Sequence, residues 1–134
     1  FYGKNGFIQY QFVIPLENGL STLKKILNKI VSKSNNSFLT VLKTFGDIKS
    51  PGIMSFPKEG ITVAIDFKMK DKAILEKLDA SDEIVTDCGG AVYPAKDARM
   101  SPQNFKKFYP QWEYFSKFID PKFSSGFWQR VVKR

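Results

Sequence analysis

Residues 7–14 alternate in a way that fits a strand: Ile8, Tyr10, Phe12 and Ile14 share one parity, and Phe7, Gln9, Gln11 and Val13 share the other. Pro15 ends the run. Residues 17–33 change period. Leu20, Leu23, Ile26, Leu27, Ile30 and Val31 recur at helical spacing, and Lys24, Lys25, Asn28 and Lys29 fall on the opposite side, which predicts an amphipathic helix with Gly19 as an early weak point. After the polar turn Ser34–Ser37 a second strand is expected over 38–45. Residues 47–60 are rich in Gly, Pro, Ser and Lys, show no period, and read as a loop.

A third strand follows over 61–68, with Ile61, Val63, Ile65 and Phe67 on one face and Thr62, Ala64, Asp66 and Lys68 on the other. Residues 71–87 read as a second helix built on Ala73, Ile74, Leu78, Ile84 and Val85, with Ser81 as a possible break and Gly89-Gly90 as its stop. A short fourth strand is expected over 91–94. The order β-α-β-β-α-β predicts an α+β, ferredoxin-like antiparallel sheet with both helices on one face, and a core containing Ile8, Tyr10, Phe12, Ile65 and Leu27. In the tail, Ser101-Pro102 resembles an N-cap followed by Pro at the first helical position, and Pro110 and Pro121 divide helices expected near 102–108, 111–118 and 124–132.

Composition narrows the possibilities. A chain of 134 residues, 43% hydrophobic, fits one ordered domain, and it has no apolar run of membrane-spanning length. It holds no His and one Cys, Cys88, which excludes His-based triads and bases, an internal disulfide and a Cys-cluster zinc site within this segment. Twenty-one Lys and Arg against 13 Asp and Glu give +8, which solvated helix faces account for. The aromatic residues sit at core parities rather than among Lys and Arg on one strand, so nucleic acid is not the expected partner. The chain opens on Phe1 rather than Met, so it is expected to be a piece of a longer polypeptide, with its localisation left open.

Candidate chemistry falls in three places. The sheet face away from the helices would carry Gln9, Gln11, Thr62, Ala64 and Asp66, which is also what an ordinary half-exposed sheet carries. Lys43 shares parity with Leu39, Val41 and Phe45, so its ammonium either snorkels to a sheet edge or meets an anion. The stretch Val92 to Arg99 is a dense polar knot at a strand end, readable as a ligand loop or as a local Lys–Asp–Arg ion network. No glycine-rich phosphate loop or pair of glycosidase-like carboxylates is present.

The blocks Gly6-Phe7-Ile8-Gln9-Tyr10-Gln11-Phe12-Val13-Ile14-Pro15, Ser37 to Gly46, Gly60 to Phe67 and Tyr93-Pro94-Ala95-Lys96-Asp97-Ala98-Arg99 occur in the order found in FAD-linked oxidases. Nearly the whole chain resembles the C-terminal substrate (cap) domain of that family, in the group of decaprenylphosphoryl-β-D-ribose 2′-oxidases and of sugar-lactone and alditol oxidases. The resemblance implies a two-domain flavoenzyme oxidising a sugar or alditol hydroxyl. Residues 1–134 would be its substrate domain, without the N-terminal domain that binds FAD. Lys96 matches the family lysine near the pyrimidine end of the flavin and the reacting sugar, where reduction places negative charge. Gln9, Gln11, Lys43 and Tyr93 match substrate-pocket positions, Ala64 a flavin-side position that is cysteine in some members. Asp66 would orient neighbours, and Arg99 would anchor the loop through Asp97. Ala98 departs from the usual serine. The implied partners are the FAD-binding domain of the same polypeptide and a sugar or sugar-lipid, with no nucleic acid. The isolated domain would hold no FAD and could cover its exposed sheet by forming a homodimer. The other class consistent with the residues is a stand-alone ferredoxin-like module binding an anionic ligand.

Overall fold

A computed structural model describes residues 4–31, 37, 39–69, 72–96 and 99–132. The elements run β1 (Phe7–Ile14), α1 (Gly19–Ile30), β2 (Thr40–Phe45), β3 (Gly60–Lys68), α2 (Ala73–Asp87) and β4 (Ala91–Val92). A 3₁₀ turn (Pro94–Lys96) and three short helices follow, α3 (Pro102–Phe108), α4 (Trp112–Ser116) and α5 (Gly126–Val132). The sheet is antiparallel in the order β2-β3-β1-β4, the expected ferredoxin-like arrangement.

The longest pairing is β1 with β3, from Phe7 opposite Lys68 to Ile14 opposite Ile61. It brings Ile8, Tyr10 and Phe12 against Phe67, Ile65 and Val63 on the face that α1 and α2 cover, and all six are buried. From α1, Leu23, Ile26 and Ile30 point into this core. Leu27 packs against it while only partly buried, because it lies on the flank of the stripe. Leu20, further round that flank, and Val31, past the helix end, are 64% and 59% exposed, so the stripe is narrower than the sequence pattern implied. Gly19 is a contact point rather than a weak one. A Cβ built there would lie 2.8 Å from Ile61 Cδ1, so glycine lets the start of α1 approach β3.

Ser81 does not break α2. Its hydroxyl donates to the Lys77 carbonyl one turn back (2.8 Å), a bond available only within a helix, and the side chain is buried. Beside it lies Asp82, 1% exposed and still polar. It accepts hydrogen bonds from the Tyr10 hydroxyl (2.8 Å) and from both terminal nitrogens of Arg99 (2.9 Å each). Arg99 also pairs with Asp79 and stacks its guanidinium over the Tyr10 ring at 5.4 Å. Burial, then Asp82, hold the Tyr10 phenol well above its ordinary pKa, so it stays a donor. The carboxylates offset the burial of Arg99 and keep it charged.

β4 is shorter than the expected 91–94. The Tyr93 N–H still reaches the Gln11 carbonyl (2.8 Å), but Pro94 has no N–H to continue the ladder and the chain tightens into the 3₁₀ turn. Gly90 makes the entry possible: a Cβ there would lie 2.5 Å from the Val13 carbonyl oxygen. In the tail, the Ser101 side chain caps α3 as expected, accepting from the Asn104 N–H (3.1 Å). Tyr109 ties the tail to the sheet by donating to the Val92 carbonyl (2.8 Å).

Two stability predictions follow. Asp82→Ala leaves the Arg99 guanidinium and the Tyr10 hydroxyl without their buried acceptor. It is expected to cost about 3–5 kcal/mol in urea unfolding, the scale for breaking one side of a buried ion pair. Tyr10 and Tyr109 both have raised phenol pKa values, chiefly through burial. A group whose folded pKa is raised contributes stability below its unfolded pKa, about 10 for tyrosine, and loses that contribution as pH rises beyond it. Unfolding free energy should therefore fall above about pH 10, and Tyr10→Phe should make that fall shallower. An unchanged alkaline slope would contradict the assignment.

Candidate active site

The sheet face away from the helices is ordered by the strand register into cross-strand rows. Lys43 of β2 lies opposite Thr62, which lies opposite Val13 and then Ala91. In the next row Val41 faces Ala64, which faces Gln11, and the Tyr93 N–H bonds to Gln11 from beyond β4. The third row pairs Asp66 with Gln9, and the Asp66 N–H donates to the Leu39 carbonyl (3.1 Å). Residues 9, 11, 43, 64 and 93 thus share one surface; parity placed Gln9, Gln11 and Ala64 there, and the register adds Lys43 and Tyr93. Ala64 lies at its centre with only a methyl among longer side chains, which leaves a low floor.

The polar groups on this surface are held in place. Gln9 Nε2 donates to Asp66 Oδ1 (2.6 Å), and Gln11 Nε2 donates to Thr62 Oγ1 (3.3 Å). The Lys43 ammonium lies 5.5 Å from the Phe45 ring centroid, so its stem follows apolar surface while its charge stays in water. The Tyr93 ring stacks on Phe56 at 4.5 Å, and Phe56 meets Phe45 edge-on at 6.0 Å. Phe56 comes from the loop between β2 and β3, which lacks any period, so no pattern marks it as the residue that props Tyr93.

Lys96 stands at the border of this surface. The 3₁₀ turn replaces the second half of a fourth strand, leaving the N-terminal half of β1 without a strand neighbour on that side. There, a hollow of about 290 Å³ is lined by Phe7, Ile8, Gln9, Met69, Leu75, Lys96 and Arg99. The structure therefore brings Lys96 and Gln9, 87 positions apart, onto one hollow. Among the described residues the exposed Lys96 ammonium has no hydrogen-bond or ion-pair partner. Arg99, three residues later, is instead fixed to α2 through Asp79 and Asp82. Asp97, through which Arg99 was expected to anchor the loop, and Ala98 lie outside the described residues.

The chemistry available is binding and electrostatics. Amide carbonyls and a phenol can meet hydroxyl groups, and two ammonium groups, Lys43 and Lys96, can meet negative charge. Among the described residues there is no cluster of metal-ligating side chains. Cys88 lies elsewhere, at the end of α2. Burial pushes its thiol pKa up and its sulfur is turned to the Val85 carbonyl, which does not suit a nucleophile. Lys58 from the β2–β3 loop bonds the Gly89 and Gly90 carbonyls (3.1 and 3.2 Å) and so fastens that loop to the end of α2.

Over 123 residues, 90% of its length, the chain is 37% identical to decaprenylphosphoryl-beta-D-ribose oxidase of Mycolicibacterium smegmatis, of which the match covers 26%. It is also 29% identical over 115 residues, 84% of its length, to a Streptomyces coelicolor protein named as an uncharacterized protein in the mprA 5′ region, covering 30% of that protein. The chain thus spans less than a third of the length of these relatives. A scan against protein-family models finds no match. The resemblance seen in the sequence blocks is borne out: over nearly its whole length the chain is similar to a domain-sized part of an oxidase.

Proposed function

We propose that this chain is the substrate-binding domain of an FAD-dependent oxidoreductase that oxidises a hydroxyl of a sugar or alditol, with FAD held mainly by an N-terminal domain of the same polypeptide. The observation that carries the reading is convergence. Gln9, Gln11, Lys43, Ala64 and Tyr93, which the resemblance assigns to substrate or flavin one at a time, share a single sheet face, and Lys96 borders it. That face also leaves Phe7, Leu39 and Val41 in water, apolar surface suited to being covered. The low floor at Ala64 and the ammonium of Lys96, which has no partner among the described residues, fit the edge of a flat ring system that gains negative charge. The likeness to a decaprenylphosphoryl-ribose oxidase favours a sugar carrying a lipid phosphate among the possible substrates.

The chemistry FAD supplies is acceptance of a hydride from the carbinol carbon, with release of the hydroxyl proton and formation of a carbonyl. The chain's own residues bind and orient. Gln9 and Gln11 direct the sugar by hydrogen bonds, Tyr93 is held rigid by Phe56, and Lys43 is placed for an anionic group of the substrate. The Lys96 ammonium stabilises negative charge developing beside it, more in the transition state than in the ground state.

In the full-length protein, Lys96→Met keeps the stem and removes the charge. Stopped-flow flavin reduction by a sugar substrate should slow by about 10²-fold or more, the scale for a lost electrostatic donor. Flavin content should be kept. The thermal midpoint should barely move, because the ammonium has no described partner. An unchanged reduction rate with flavin bound would remove Lys96 from the chemistry. The 134-residue chain purified by itself should carry no flavin. A flavin absorption spectrum that survives desalting would contradict the division of labour between domains.

A further inference from the structure

Asp66 is 4% exposed, lies under the ligand-facing surface, and is directly opposite Gln9 in the β1–β3 ladder. A carboxylate has no proton to give, so the only part of the Gln9 amide that can face it at 2.6 Å is the NH₂ group. The C=O and C–N bonds of an amide diverge by about 120°, so with its NH₂ on Asp66 the Gln9 carbonyl oxygen is directed away from that carboxylate. Gln11 differs. Its partner, the Thr62 hydroxyl at 3.3 Å, can donate or accept, so the Gln11 amide can be satisfied either way round.

We propose that Asp66 is a positioning residue that fixes the Gln9 amide with its carbonyl outward, so that Gln9 acts as a dedicated acceptor for one substrate hydroxyl while Gln11 remains adaptable. The inference rests on the functional reading above and deepens it: the site recognises a ligand that donates a hydrogen bond at Gln9. A ligand offering only an ether or carbonyl oxygen at that point meets an acceptor and is disfavoured, because two acceptors then face each other without a proton.

Asp66→Asn tests this with little change of shape. Asparagine keeps a hydrogen bond to Gln9 across the β1–β3 pair but offers both a donor and an acceptor, so it preserves that bond and removes its fixed direction. The probes are a short-chain prenylphosphoryl-β-D-ribose and its analogues lacking one sugar hydroxyl each, assayed on the full-length flavoenzyme. The wild type should show a KM about 10-fold higher for one analogue than for the parent. Asp66→Asn should raise the parent's KM several-fold, change kcat by less than about 2-fold, and erase the penalty for that analogue. Adding it to Gln9→Ala should have no further effect.

Losses that are equal for every analogue, or that add to those of Gln9→Ala, would overturn the proposal. A second readout needs no turnover. In the ¹⁵N-glutamine-labelled full-length protein, the side-chain amide resonance that disappears in Gln9→Ala should show a downfield, charge-assisted NH proton that moves upfield in Asp66→Asn. An amide unmoved by Asp66→Asn also overturns the proposal. A wild type that oxidises none of the ribose probes counts against the substrate class, and the resonance then decides the role of Asp66.

Discussion

The eight-residue antiparallel pairing of β1 with β3 is the constraint on which the rest of the molecule depends. Side chains along a strand alternate between faces, so this one register places Tyr10, Phe12, Val63 and Ile65 under the helices and Gln9, Gln11, Ala64 and Asp66 on the opposite surface. A slip by one residue would turn the amides toward the helices and the aromatics away from them. The large apolar face, sealed by Ile26, Ile30, Leu78 and Val85, makes such a slip costly. The hydrophobic core thereby fixes the row order of a polar surface that contributes little to stability itself.

The second device is the contact among Tyr10, Asp82 and Arg99. It is polar, almost dry, and joins the core face of β1 to α2 and to the segment after the 3₁₀ turn. Lys96 lies three residues before Arg99, so the Arg99 clamp anchors the end of the loop from which the lysine projects. Buried ion pairs are weak sources of net stability but costly to break, which suits a role in holding one loop position. On the other side, the Phe56–Tyr93 stack and the Lys58 bonds to the Gly89 and Gly90 carbonyls tie the long β2–β3 loop to the β4 end of the same surface.

Much of this was legible in the sequence because it follows from period. The strand parities of residues 7–14 and 61–68 located both faces, and the β-α-β-β-α-β order gave the sheet. What escaped depends on contacts between distant residues. Ser81 looked like a helix breaker, since sequence does not show its back-bond to Lys77. Nothing in the pattern singles out Asp82, since its partners lie 72 positions before it and 17 after it. Phe56 sat in a stretch without pattern. The fourth strand stops short of the expected residue 94 because Pro94 has no N–H for the ladder. Leu20 and Val31 matched the helical stripe but lie past the edge of the surface that α1 covers. For the site, parity put Gln9, Gln11, Ala64 and Asp66 on one face, but only the structure adds Lys43 and Tyr93 to it, sets Lys96 and Gln9 on one hollow and gives Asp66 its partner.

On the proposed function, the helix-free face of this sheet is where substrate and flavin meet. The most direct measurement is a structure of the complete polypeptide with its flavin bound. The ring system is expected to lie against the face around Ala64, with the Lys96 ammonium at its edge and the Gln9 and Gln11 amides turned toward the remaining space. A flavin bound elsewhere, with the Gln9–Gln11 surface open to solvent or packed against unrelated structure, would contradict it.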